Sequence, residues 1–100
     1  MAIFDLTFRI HEDASYSERY ESVVEAIKRC CHGPYWDQTT SYFLFDNPAS
    51  AEAIAEWIDQ NSKFAPSKDV LLVTNLSTKS YKAIGSIQNR NVLDTLMAKR

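Results

Sequence analysis

The chain has 100 residues, of which 45% are hydrophobic and 24% charged, with only two Gly and three Pro. That is the length and composition of one folded domain over residues 1–100, and it excludes two independent cores, a fibrous repeat and a disordered low-complexity chain. Eleven basic and thirteen acidic side chains leave a formal net charge of −2, and no run of about 18 apolar residues is present to span a membrane.

Residues 2–10 predict a strand, because Phe4, Leu6, Phe8 and Ile10 alternate with Ile3, Asp5, Thr7 and Arg9. The first set should face a core and the second a more polar side, as in a sheet covered by helices on one face. The same segment carries Asp5 and Arg9 within its apolar run and lacks a basic start, unlike a secretory signal, so the expected location is cytoplasmic. Residues 16–31 predict a helix, with Ser15 as N-cap and Glu18 at the capping-box position. Tyr16, Tyr20, Val23, Ile27 and Cys30 recur at helical spacing, acids lie early and bases late, and Gly33-Pro34 stops the run. Residues 35–46 are aromatic and β-branched. A bend over 37–40 divides them into a short strand and a longer one at 41–45, whose nearly unbroken apolar character predicts a central place in the sheet. Residues 50–61 predict a second helix, capped by Ser50, with Ala51, Ile54, Ala55 and Ile58 as its apolar stripe and Trp57 at the margin. A loop over 61–68 leads to a clear strand at 69–76, a short edge strand at 79–84 and a terminal helix at 91–98. The order β-α-β(β)-α-β predicts an α+β fold of ferredoxin-like type, two helices crossing one face of a small antiparallel sheet. A flavodoxin-like parallel sheet needs more βα units than this length holds.

The residue clusters that invite a chemical reading each have a plainer one. Cys30 and Cys31 are adjacent, while zinc ligands are normally spaced by two to four residues and completed by a second pair that is missing here. They read as reduced thiols at a helix C-terminus, where thiolate formation is disfavoured. His11, Glu12 and Asp13 are consecutive, and neighbours in a loop rarely converge on one ion. With Gly33 and Gly85 as the only glycines, a phosphate-cradling Gly-rich loop is excluded, and no nucleophile elbow, P-loop or zincin motif is present. No cofactor and no metal site are expected. Tyr35, Trp36, Tyr42, Phe43 and Phe45 suit either base stacking or core and cross-strand packing.

Charge is unevenly spread. Residues 1–60 hold four basic and eleven acidic side chains, and residues 61–100 hold seven basic and two acidic ones. The two parts either neutralise each other, across one folded surface or between subunits, or leave a basic surface for a polyanion.

The start MAIFDLTF, a helix, Trp36 followed by TTSYFLFD, a Ser-Ala-Glu helix and then DVLLVTNL together resemble the small SinR-like proteins of the Cas2-like superfamily. The resemblance runs along nearly the whole chain. It implies a ferredoxin-like protomer that dimerises through sheet edges, in a superfamily that includes the CRISPR-associated Cas2 proteins, the VapD ribonucleases and the GhoS antitoxin. Metal-dependent nuclease activity belongs to some members only. Metal-binding relatives carry an Asp at the end of the first strand, after an aromatic residue, whereas here Phe8 is followed by Arg9. A guanidinium repels a divalent cation, and Asp5 lies about 13 Å back along the strand. Arg9 is suited instead to phosphate, or to a carboxylate across a dimer interface. The resulting expectation is a homodimer without catalytic residues that binds RNA, DNA or a protein partner, away from any membrane, with Arg9, Lys79, Lys82 and Arg90 as contacts. The alternatives are a metal-dependent endoribonuclease using Asp5 or Asp13, and a toxin–antitoxin component acting by protein contact.

Overall fold

A computed structural model describes residues 1–100. The alternating first segment forms β1 (Ala2–Arg9), with Phe4, Leu6 and Phe8 buried. Next come α1 (Tyr16–Cys30), β2 (Tyr42–Asn47), α2 (Ala51–Gln60), β3 (Val70–Asn75), β4 (Tyr81–Gly85) and α3 (Arg90–Ala98). The four strands form one antiparallel sheet in the order β2-β1-β3-β4. The chain is thus α+β, with three helices, none of them long and apolar enough to cross a membrane.

One face of the sheet is closed. Phe4, Leu6 and Phe8 of β1, Phe43 and Phe45 of β2, and Leu71 and Val73 of β3 meet Val23, Ala26 and Ile27 of α1 and Ile54, Ala55 and Ile58 of α2 in a single core. Stacked Phe4 and Phe45, with ring centroids 6.0 Å apart, bridge the two strands within it. The predicted stripe of α2 is the buried one, and Ser50 caps that helix by accepting a hydrogen bond from the Ala53 amide at 3.1 Å.

Local expectations differ from the structure at two places. The 41–45 segment, expected to be central, forms β2 at the edge of the four-stranded sheet. Its outer side is met only by Trp36, whose amide and carbonyl pair with Leu44. The apolar run arises because Phe43 and Phe45 enter the core while Leu44, on the opposite face, sits beside Trp36 and Ile3. At α1 the capping box does not form. Ser15 Oγ is engaged by Asp13 and by Arg19 Nε, leaving Glu18 to pair with Lys63.

The other face of the sheet is covered along one side only. Residues opposite one another across a ladder share a face, so Arg9, Val70 and Gly85, and Thr7, Leu72 and Ala83, lie on this open side. α3 crosses its β3–β4 half, where Leu93 faces Thr7, Arg9, Val70, Leu72 and Ala83 across a cleft of about 310 Å³. Tyr81 donates its hydroxyl proton to Asp94 Oδ1 at 2.7 Å, while Arg100 stacks over the Tyr81 ring and donates to the Lys79 carbonyl. These contacts set the direction of α3: it starts near the Arg9 end of β1 and finishes near the Lys79 turn, at the Ile3 end. No residue of α3 is buried.

Candidate functional site

β1 and β2 form the uncovered half of the open face. Ile3 is 44% exposed and Trp36 48%, and with Tyr35, Pro34 and Leu44 they line a shallow cleft of about 430 Å³. Trp36 packs edge-on against Tyr42, with centroids 6.1 Å apart, and Tyr35 lies against Phe43. The aromatic segment is therefore divided: Phe43 and Phe45 belong to the core, while Tyr35 and Trp36 are held at the surface. The 37–41 turn returns the chain so that Trp36 pairs beside Leu44, and Ser41, with φ of 54°, completes it.

Acidic groups mark this half. Asp5 accepts the Tyr42 hydroxyl at 3.1 Å, and burial, followed by that carboxylate, raises the Tyr42 phenol above its ordinary range. Asp46 pairs across the ladder with Ile3, and its Oδ1 is buried beside Gly33 with no hydrogen-bond partner.

The four basic residues singled out from the sequence are not brought into one patch. Arg9, exposed and free of any carboxylate, lines the cleft beneath α3 at one end of the open face. Arg90 opens α3 and lies 3.7 Å from Asp94 one turn on. Lys82 is opposite Val73 in the ladder, on the helix-covered side of the sheet at its edge. Lys79 lies in the β3–β4 turn, at the far end from Arg9, beside Arg100. At the scale of layers, exposed Glu18, Glu21, Glu25, Glu52 and Glu56 lie on α1 and α2, whereas Arg9, Arg90, Lys99 and Arg100 surround α3.

The clusters with a plainer reading have structural roles. Asp13 bridges Arg19 at 3.1 Å and Lys68 at 2.6 Å, and Lys68, then Arg19, hold its carboxyl well below the usual range. No three His, Cys, Asp or Glu side chains converge as metal ligands. Cys30 is buried, Cys31 donates to the Ile27 carbonyl, and burial pushes both thiols up to about 11.

The strongest polar cluster was not anticipated. Arg19 is buried on α1 and meets the fully buried Asp69 through Nη1, 2.5 Å from both carboxylate oxygens. Its Nη2 donates to the His11 carbonyl at 2.7 Å, and Asp69 also accepts the amides of His11 and Ala65. Burial works to raise the Asp69 carboxyl, but the guanidinium and the two amides outweigh it and leave the carboxyl below its usual range. The signal was present in the sequence: Arg19 is in helical register with Val23, Ala26 and Cys30, and so lies on the buried stripe. This network joins the end of β1, the start of α1 and the approach to β3, and is a structural tie rather than a reaction centre.

No protein-family model matches this chain, and neither does any curated protein or solved structure.

Proposed function

We propose that this chain is a small cytoplasmic interaction protein of ferredoxin-like, Cas2-like type, acting without catalysis as a homodimer that binds nucleic acid. The observation that carries the reading is the half-covered sheet. A helix-free strip bearing exposed Ile3 and Trp36 runs beside a helix with no fully buried residue, and contiguous apolar surface of this kind suits a protein contact. The ferredoxin-like reading is supported by the Trp36–Leu44 bridge, which, counted as a rudimentary strand, makes the order β-α-β-β-α-β with β4 added at the far edge. Nucleic acid is favoured as ligand by exposed Arg9, Arg90 and Arg100 around α3, on the side of the sheet away from the glutamates of α1 and α2. The nuclease alternative is disfavoured by the engagement of its two carboxylates in different places, Asp13 with Arg19 and Lys68 and Asp5 with Tyr42.

The test is fluorescence anisotropy with labelled single- and double-stranded RNA and DNA at low and moderate salt, with and without Mg²⁺, alongside light scattering of the protein. The expected result is a dimer at micromolar concentration and intact oligonucleotides. Binding should weaken as salt rises, by about 0.7–0.9 log units per log unit of salt for each phosphate neutralised. Metal-dependent cleavage overturns the non-catalytic reading. No binding at low salt removes nucleic acid and leaves a protein partner, and a stable monomer removes the homodimer.

A further inference from the structure

We infer that the uncovered half of the sheet is the seat for α3 of a second copy of this chain, an inference that rests on the homodimer reading and names the contact that makes it. α3 is amphipathic on two sides. Leu93, Asp94 and Met97 turn toward its own sheet and are partly covered, while Val92 remains 51% exposed and Leu96 59% exposed. Val92, Leu96 and Lys99 follow one another at four- and three-residue steps and so share one face. On the helical wheel that face points away from Asp94, which is bound to Tyr81 on edge strand β4, and therefore toward the β1–β2 side. The vacant strip beside it offers the matching surface, Ile3, Leu44 and Trp36 around a shallow cleft.

Dimensions and charges agree. A nine-residue helix is about 13 Å long, and the strip from Ile3 to Thr7 runs about 13 Å along β1. The strip carries Asp5 and Asp46, both half-buried and neither in an ion pair within its own chain. Lys99, the C-cap of α3, is exposed and pairs with no carboxylate in its own chain. A two-fold axis parallel to the strands exchanges the two halves of the open face while preserving position along them. Each α3 then lies over the other copy's β1 and β2, with its C-terminal Lys99 at the Ile3–Asp46 end. The two helices lie side by side as a middle layer between two sheets. Each sheet supplies a covered half and receives a cover, so the contact closes on itself and does not propagate.

The test measures the dimer dissociation constant of the full chain by sedimentation equilibrium for the wild type, Leu96→Glu, Lys99→Glu, Asp46→Lys and an equimolar mixture of the last two. The wild type should dimerise, Leu96→Glu should be monomeric, and each charge variant alone should bind itself at least about tenfold more weakly. The mixture should regain wild-type affinity, because the carboxylate introduced in one chain then meets the ammonium introduced in the other, while the unaltered Lys99 of the second meets the unaltered Asp46 of the first. A wild-type dimer that none of the variants weakens overturns this inference and leaves the homodimer to another surface, whereas a monomeric wild type overturns both. Should Asp46→Lys not fold, Leu96→Glu and Lys99→Glu, at exposed positions on α3 and at its C-cap, decide the matter by themselves.

Discussion

The two faces of β1 have the same backbone and opposite fates. Phe4, Leu6 and Phe8 lie under two helices in a buried core, while Ile3, Asp5, Thr7 and Arg9, one residue out of phase, face a surface that a single terminal helix half covers. The difference teaches where each part of the chain's work is done. Stability is concentrated on the closed face and its buried ion pair, and the open face is left with apolar and charged groups that the protomer alone does not use.

The comparison is tested most severely at Asp69. Replacing it by Ala leaves Arg19 buried without its carboxylate, and should cost about 3–5 kcal/mol in urea unfolding. A loss below about 1 kcal/mol would mean that the pair is not what closes this end of the core. Asp69 and Asp13 are both held below the usual carboxylate range, so their contribution is complete above about pH 4 and is lost as pH falls through the depressed folded values. The urea midpoint should stay nearly level from pH 7 to pH 5 and drop from pH 4 downward, less steeply in the Asp69→Ala protein.

Next in size is the contrast along β1 itself. Leu6→Ala should cost about 2–5 kcal/mol by creating a cavity among close-packed neighbours. Ile3→Thr, measured on dilute protein where copies are apart, should change stability by no more than about 0.5 kcal/mol. Equal losses at the two positions would contradict the division into a closed and an open face. The smallest effect belongs to α3. Tyr81→Phe removes the hydrogen bond to Asp94, worth about 1 kcal/mol. Amides of α3 should then exchange with deuterium about fivefold faster, with those of β1 unchanged.

What the sequence revealed was what is local. The two-residue alternation of β1 and the three- and four-residue stripe of α2 identify core residues correctly, since each element's period is a property of its own backbone. The Ser50 cap was legible for the same reason. The place of β2 in the sheet was not, because strand order depends on partners far along the chain, and an edge strand whose outward Leu44 is covered by Trp36 reads like a central one. The capping box failed by competition: Arg19 and Asp13 offered Ser15 Oγ better partners than the helix start did. Of the candidate site, Arg9 was rightly placed on the outward-facing side of β1. The dispersal of Lys79 and Lys82 could not be read, because spacing within a hairpin does not say which side of the sheet each residue takes until the register is known, and Arg90 follows α3, whose place over the sheet depends on distant partners.

One arrangement also bears on how the chain comes off the ribosome. β1 is made first, yet it is an inner strand that needs β2 on one side and β3 on the other, and Arg19 meets its carboxylate only fifty residues later in the sequence. Until the 70–75 segment has emerged, the strand that brings Phe4, Leu6 and Phe8 to the core has an unpaired edge, and Arg19 has only Asp13 as a carboxylate partner. Closure of the domain therefore waits for the 70–75 segment. A nascent chain stalled before Asp69 would present its future core to whatever binds exposed strands.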